Sequence, residues 1–214
     1  MRNRKYHWFL IMLGSSTELF ARAGGGGSGG STTRGIGAII LVLVFFAILY
    51  YRTWQSKRQA TISMARDPNW NYDFLIKYAE DAFMRIQDAW MKKNLDLISD
   101  IITDNLRAEL QKGIRELDFK NMKNVLEDIE VDSVKIIGAE DYADNEKDCF
   151  TAYIKGSMID KEVSGLNGHE WVKLDGPFRD LYYFKRHENT WLVDKIDTQA
   201  TIGKVFSGKH VIEE

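Results

Sequence analysis

YDFLIKYAEDAFMRIQDAWMKK, residues 72–93, repeats its apolar side chains at helical spacing. Leu75, Ala79, Ala82, Phe83, Ile86 and Trp90 share one face, the mark of an amphipathic helix packed on a core. Three acid-before-base pairs at i,i+4 (Asp73–Lys77, Asp81–Arg85, Asp88–Lys92) each support an exposed helix face by ~0.2–0.5 kcal/mol. Asn94 offers a cap for a short helix carrying Leu95, Ile98 and Ile101. Thr103 caps the next, with Leu106, Leu110, Ile114 and Leu117 along one side, and a fourth helical stretch is expected over residues 119–126. From Asp128 the period falls from 3.6 to 2. Ile129, Val131, Val134, Ile136 and Ile137 mark one extended segment. In residues 149–160, Phe150, Ala152, Ile154 and Met158 alternate with Thr151, Tyr153, Lys155 and Ser157. Residues 165–177 read as loop, and residues 178–187 and 190–197 as a hairpin turning at Glu188-Asn189. Helices followed by four antiparallel strands make an α+β domain.

The region before this domain has another character. MRNRKYHWFLIML places three cations ahead of an apolar stretch, and Ala21-Arg22-Ala23 follows as a small-x-small site, so residues 1–23 read as a signal-like segment. Residues 24–34 are a Gly/Ser linker; no Gly-Lys-Ser/Thr follows to make a phosphate loop of it. Residues 35–51, GIGAIILVLVFFAILYY, carry no charge. As a helix they are about 25 Å long, enough to cross a ~30 Å hydrocarbon core with little to spare. Tyr50, Tyr51 and Trp54 gather where amphipathic rings favour the membrane–water boundary. Arg52, Lys57 and Arg58 follow the span while only Arg34 precedes it closely, so the C-terminal domain is expected in the cytoplasm. Residues 52–70 read as a juxtamembrane spacer and 199–214 as a tail.

Charge narrows the function. The chain has 29 basic and 31 acidic residues. Residues 1–62 hold eight of the basic residues and one acid, which leaves residues 63–214 at −9. A soluble part that acidic excludes nucleic acid as the expected partner. One cysteine, Cys149, excludes a disulfide framework and a multi-thiolate zinc site, and its position at the start of a strand gives it a structural role. His169, His187 and His210 lack ligand spacing, and Asp141, Asp144, Glu146 and Asp148 lack the central glycine of a calcium loop. No metal and no cofactor is expected.

FLIKYAEDAFMRIQDAW, with Phe83, Ile86-Gln87 and Trp90, resembles the first conserved helix of the Tim44-like domain family, named after the membrane-tethering subunit of the mitochondrial presequence translocase motor. DLISDIITDNLRAELQKGI resembles its next segment, and LYYFKRHENTWLVDKI its closing hairpin. The closing strand carries Tyr182-Tyr183-Phe184 where a tryptophan is common in the family. The resemblance covers residues 71–198. It implies a cone like that of nuclear transport factor two, in which a curved sheet wraps a long helix and often leaves an apolar cavity. It also implies a domain that contacts protein partners or lipid at a membrane surface, and the anchor, glycine linker and signal-like start resemble the bacterial relatives, which implies a bacterial inner membrane.

Three functions follow as expectations. The first is a membrane-tethered binding or scaffold module, serving protein translocation or membrane-complex assembly. The second is a carrier of a small apolar ligand, with Phe83, Trp90, Tyr153 and Phe184 around the pocket or simply in the core. The third is an isomerase or cyclase, as some proteins of this broad fold are; its candidate groups are Tyr78, Tyr153, Tyr182, Asp194 and His187, an analogy too thin to make the chain an enzyme. Met84 and Met91, seven residues apart and away from the Leu75–Trp90 face, form a candidate partner patch, weighed against a helix simply wrapped on both sides.

Overall fold

The computed structural model describes residues 31–213. The signal-like segment and residues 24–30 of the Gly/Ser linker lie outside the described residues. The chain divides into two units, Met1–Ala47 and Ile48–Glu214. Helix α1, Ser31–Met64, begins in the first and ends in the second. It is the one helix among the described residues long and apolar enough to cross a membrane. In its first half Ile39, Ile40, Leu41, Leu43, Val44 and Phe46 are exposed.

The second unit starts with the end of α1. Asp67 then caps a 3-10 turn at Pro68–Trp70, accepting from the Asn69 N–H at 2.9 Å. Asn71 caps α2, Tyr72–Met91, through the Phe74 N–H. The expected apolar face is the buried one: Leu75, Ala79, Ala82, Phe83, Ile86 and Ala89 face the sheet, with Trp90 half-buried at its end. Of the three i,i+4 pairs, Asp88–Lys92 closes at 2.7 Å, whereas Arg85 turns to Asp100 at 2.6 Å. Asn94 and Thr103 cap a 3-10 turn, Leu95–Ile98, and helix α3, Asp104–Phe119, as their side-chain chemistry dictates.

Five strands follow: β1 Met122–Asp141, β2 Cys149–Ser164, β3 Glu170–His187, β4 Thr190–Asp197 and, beyond the short helix α4 Ile202–Val205, β5 His210–Ile212. Their order is β4-β3-β2-β1-β5; all neighbours are antiparallel except β1 and β5. Register shifts in β1 between Glu127 and Glu130, Val131 and Ser133, and Ile136 and Gly138 are bulges, which bend and twist a strand. The sheet is curled into a half-barrel. Its inner face packs on α2 through Ile136, Phe150, Ala152, Ile154, Phe178 and Tyr182.

The α+β class and the strand core follow the sequence pattern, with three differences in extent. Residues 122–126 are strand rather than helix, because Asn121 takes φ 50°, a left-handed stop, and Met122 pairs with Ser164. Residues 170–177 belong to β3 rather than a loop. Gly176 and Pro177 look like breakers, but β4 pairs with β3 only from Leu181 onward. At Pro177 the strand is therefore an edge, and its missing N–H costs nothing there. The third difference is β5, the parallel fifth strand.

That strand is held by α1. Arg52, Ser56, Gln59 and Ser63, at helical spacing on one face, bond respectively to the Ile137 and Phe206 carbonyls, to His210 Nε2 (2.8 Å), to the Val211 carbonyl and to the Asp141 carboxylate. The stretch expected to be a spacer is thus built into the domain as far as Met64. The C-terminal segment also extends the hydrogen bonding beside the strands: the Ala200 N–H donates to Arg179 O at 2.7 Å and the Ala139 N–H to Lys209 O at 3.0 Å. Tyr153, Leu181 and Ile137, of opposite parity to the α2-facing residues, are buried as well.

Candidate functional site

Strand alternation and helix periodicity bring α2, α3 and the inner face of the sheet around a cavity of about 450 Å³, open on one side. Its apolar wall includes Trp90 from α2, Leu110 from α3, Leu126 from β1, Met158 from β2 and Phe178 from β3. Gly113 leaves room for the Trp90 indole: a Cβ there would stand 2.6 Å from the ring. The volume is within the range of small-molecule sites, which begin at roughly 300 Å³.

The polar groups are few and placed by the same alternation. Phe178, Asp180, Tyr182 and Phe184 share the inner parity of β3, so an acid stands in an otherwise aromatic row. Asp180 is 2% exposed, and its Oδ1 accepts the Gln199 N–H at 2.9 Å. Burial pushes its carboxyl up to about 6. The fold therefore favours the protonated form, and this group's contribution to stability falls as pH rises from the ordinary carboxylate value of 3.8 through about 6. Tyr182 is fully buried, burial raises its pKa, and its hydroxyl accepts from Gln87 Nε2 at 3.3 Å. Asn124 donates to Asp160 and to Lys161 O, while its own Oδ1 is buried without a donor among the described residues. Sequence reading passed over Asp180, although an acid in phase with Phe178 and Phe184 was the visible signal.

The residues expected at a pocket separate. Trp90 lines the cavity. Phe83 is fully buried behind it, stacked on Phe178 at 5.2 Å. Phe184 is buried at the other end of the core, stacked on Phe150 at 4.3 Å. Tyr153 stands on the opposite face of β2 from Phe150, Ala152 and Ile154. The methionine pair separates too: Met84 is 42% exposed, but Met91 is half-buried and its sulfur accepts the Leu126 N–H at 3.3 Å.

Acid–base candidates fare similarly. Tyr78 donates to the Trp191 carbonyl, and Asp194 accepts from Thr103 and pairs with Lys185 at 2.7 Å. His187 is exposed beside Glu146 at 3.5 Å. Only Tyr182 of that group lines the cavity. The acidic turn is spent on the fold: Asp141 receives Ser63, Asp144 caps the 3-10 turn Asn145–Lys147, Glu146 accepts the Glu188 N–H and buried Asp148 the Tyr142 N–H. Cys149 is half-buried, and burial pushes its thiol up to about 12, far from a reactive thiolate. Among the described residues no three His, Cys, Asp or Glu side chains converge as metal ligands.

Comparison with known proteins adds the following. The family model described as the Tim44-like domain matches residues 56–197, and so takes in the last turns of α1, with Ser56, Gln59 and Ser63. Curated proteins gave no match. Among solved structures, the intermembrane space region of the chloroplast protein ARC6 is similar at TM-score 0.41 and 9% identity, covering 59% of this chain and 97% of that one.

Proposed function

The chain belongs to the Tim44-like domain family, and on that premise we propose that it is a membrane-anchored binding module rather than an enzyme. The apolar half of α1 crosses the bilayer, and the domain is presented to protein partners or lipid at the cytoplasmic face of a bacterial inner membrane. By kinship, the process served is protein translocation or the assembly of membrane complexes. The observation that carries this reading is the division of labour along α1. Its first half exposes apolar side chains and no charge from Gly35 to Tyr51, while its second half is fastened to β1 and β5 by Arg52, Ser56, Gln59 and Ser63. Exposed Tyr50, Tyr51 and Trp54 stand between the two, as in an interfacial belt. Arg52, Lys57 and Arg58 supply the cytoplasmic bias. The test is protease added to intact spheroplasts carrying a C-terminal epitope. The epitope is expected to survive until the membrane is permeabilised; digestion from outside overturns the orientation.

A second reading concerns the cavity. Its volume, its Trp90 and Phe178 walls and its small set of convergent polar groups support a binding site for a small molecule or for one side chain of a partner.

A further inference from the structure

The cavity has an electrostatic preference. Glu109 of α3, Asp160 of β2 and Asp180 of β3 stand in its wall, against a single cation, Lys173 of β3. The Lys173 ammonium is already taken by Glu162 at 3.2 Å. Asp160 is partly satisfied by Asn124. Asp180 is not: beyond the Gln199 N–H on Oδ1, no hydrogen bond or ion pair reaches its carboxylate among the described residues. Arg179, its neighbour in sequence, has the opposite strand parity. A buried carboxylate with no counter-charge is costly, and the cost persists only where something else holds the group in place or supplies the charge.

We propose that this cavity, on the second reading above, binds an organic cation: a primary ammonium on an apolar body, its head at Asp180 and its body against Trp90, Leu126 and Phe178. An ammonium brings three donors and no acceptor, which matches a wall of carboxylates. The source is either a free amine or a lysine side chain offered by a partner.

The test uses the full chain in detergent micelles, with empty micelles as the blank, and titration calorimetry of 2-phenylethylamine against 2-phenylethanol. At neutral pH the amine is expected to bind at least about tenfold more tightly than the alcohol, as a charge-assisted hydrogen bond to a buried carboxylate requires. Asp180→Asn removes that preference, bringing the amine-to-alcohol affinity ratio to about one. The same loss is expected in the unsubstituted chain as pH falls through about 6, where Asp180 takes up its proton while the amine keeps its own. Glu109, Asp160, Lys173 and Tyr182 are the other titratable groups of the wall. An acetylated Leu-Lys-Leu amide binding more tightly than 2-phenylethylamine, and losing this to a Leu-Gln-Leu control, identifies the source as a partner's lysine. The reverse order identifies a free amine. Equal binding of amine and alcohol overturns the cation and leaves the cavity reading standing. No binding of either overturns both. The amine-to-alcohol comparison needs no variant, so a misfolded Asp180→Asn does not shelter the proposal.

Discussion

Gly156→Ala is expected to destabilise the domain by about 3 kcal/mol, at the upper end of the usual cost of overpacking. Gly156 sits in β2 opposite Val131 of β1 and Phe178 of β3. A Cβ there would be driven into the Glu130 carbonyl and would stand 2.7 Å from the Phe178 ring. Neither neighbour can retreat. The carbonyl belongs to a strand fixed by pairing on both sides of a bulge, and the ring lies parallel to Phe83, with 12° between their planes. Gly203→Ala in α4, where nothing lies within 4 Å, is the control and is expected to be neutral or slightly stabilising. Denaturant unfolding of the full chain, followed by tryptophan fluorescence, measures both. A loss below about 1 kcal/mol for Gly156→Ala would mean that β1, β2 and β3 do not meet there as described.

Phe184→Ala is expected to cost about 3–5 kcal/mol. Phe184 is fully buried at the centre of a chain of rings. It stacks on its cross-strand partner Phe150 at 4.3 Å and 5°, and meets Tyr78 at 6.0 Å. Phe150 in turn meets Trp191 edge-on at 4.9 Å, and Trp191 meets Trp70 at 5.0 Å. Buried Arg186 lies over the Trp191 ring at 5.2 Å and pairs with Asp67 at 3.1 Å. Removing Phe184 leaves a void that this rigid group cannot close, while the cavity wall, to which Phe184 does not belong, is untouched. Stability and ligand affinity should therefore separate: the midpoint of unfolding falls and the amine-to-alcohol ratio stays the same. If the ratio changed in folded protein, Phe184 would be a pocket residue after all.

The parts of the fold that burial decides were legible in the sequence. Leu75, Ala79, Ala82, Phe83 and Ile86 recur at the helical period because one face of α2 must leave water. Phe150, Ala152 and Ile154 recur at period two because one face of β2 does. Polar chemistry was harder to read. Arg52, Ser56, Gln59 and Ser63 look like a solvated stretch after an apolar one, and nothing in their hydropathy announces that β1, β5 and the Phe206 carbonyl will take up their hydrogen bonds. Strand β5 has three residues, too few for a pattern, and depends on that helix face for its place. Tyr153 shows a different limit. Its parity separates it from Phe150 and Ile154, but pattern alone does not say that the second face is buried as well. Asp180 was visible as an acid in phase with aromatic residues, yet its meaning depends on α2 and α3 closing a cavity over it.

The account rests on α1 as both anchor and docking rib. Alkaline carbonate washing of membranes from cells expressing the full chain tests this most directly, because it strips proteins held by charge or by partners and leaves those held by an apolar span. The chain is expected to remain wholly in the membrane pellet and to enter solution only with detergent. Its release into the carbonate supernatant, still folded, would contradict the account.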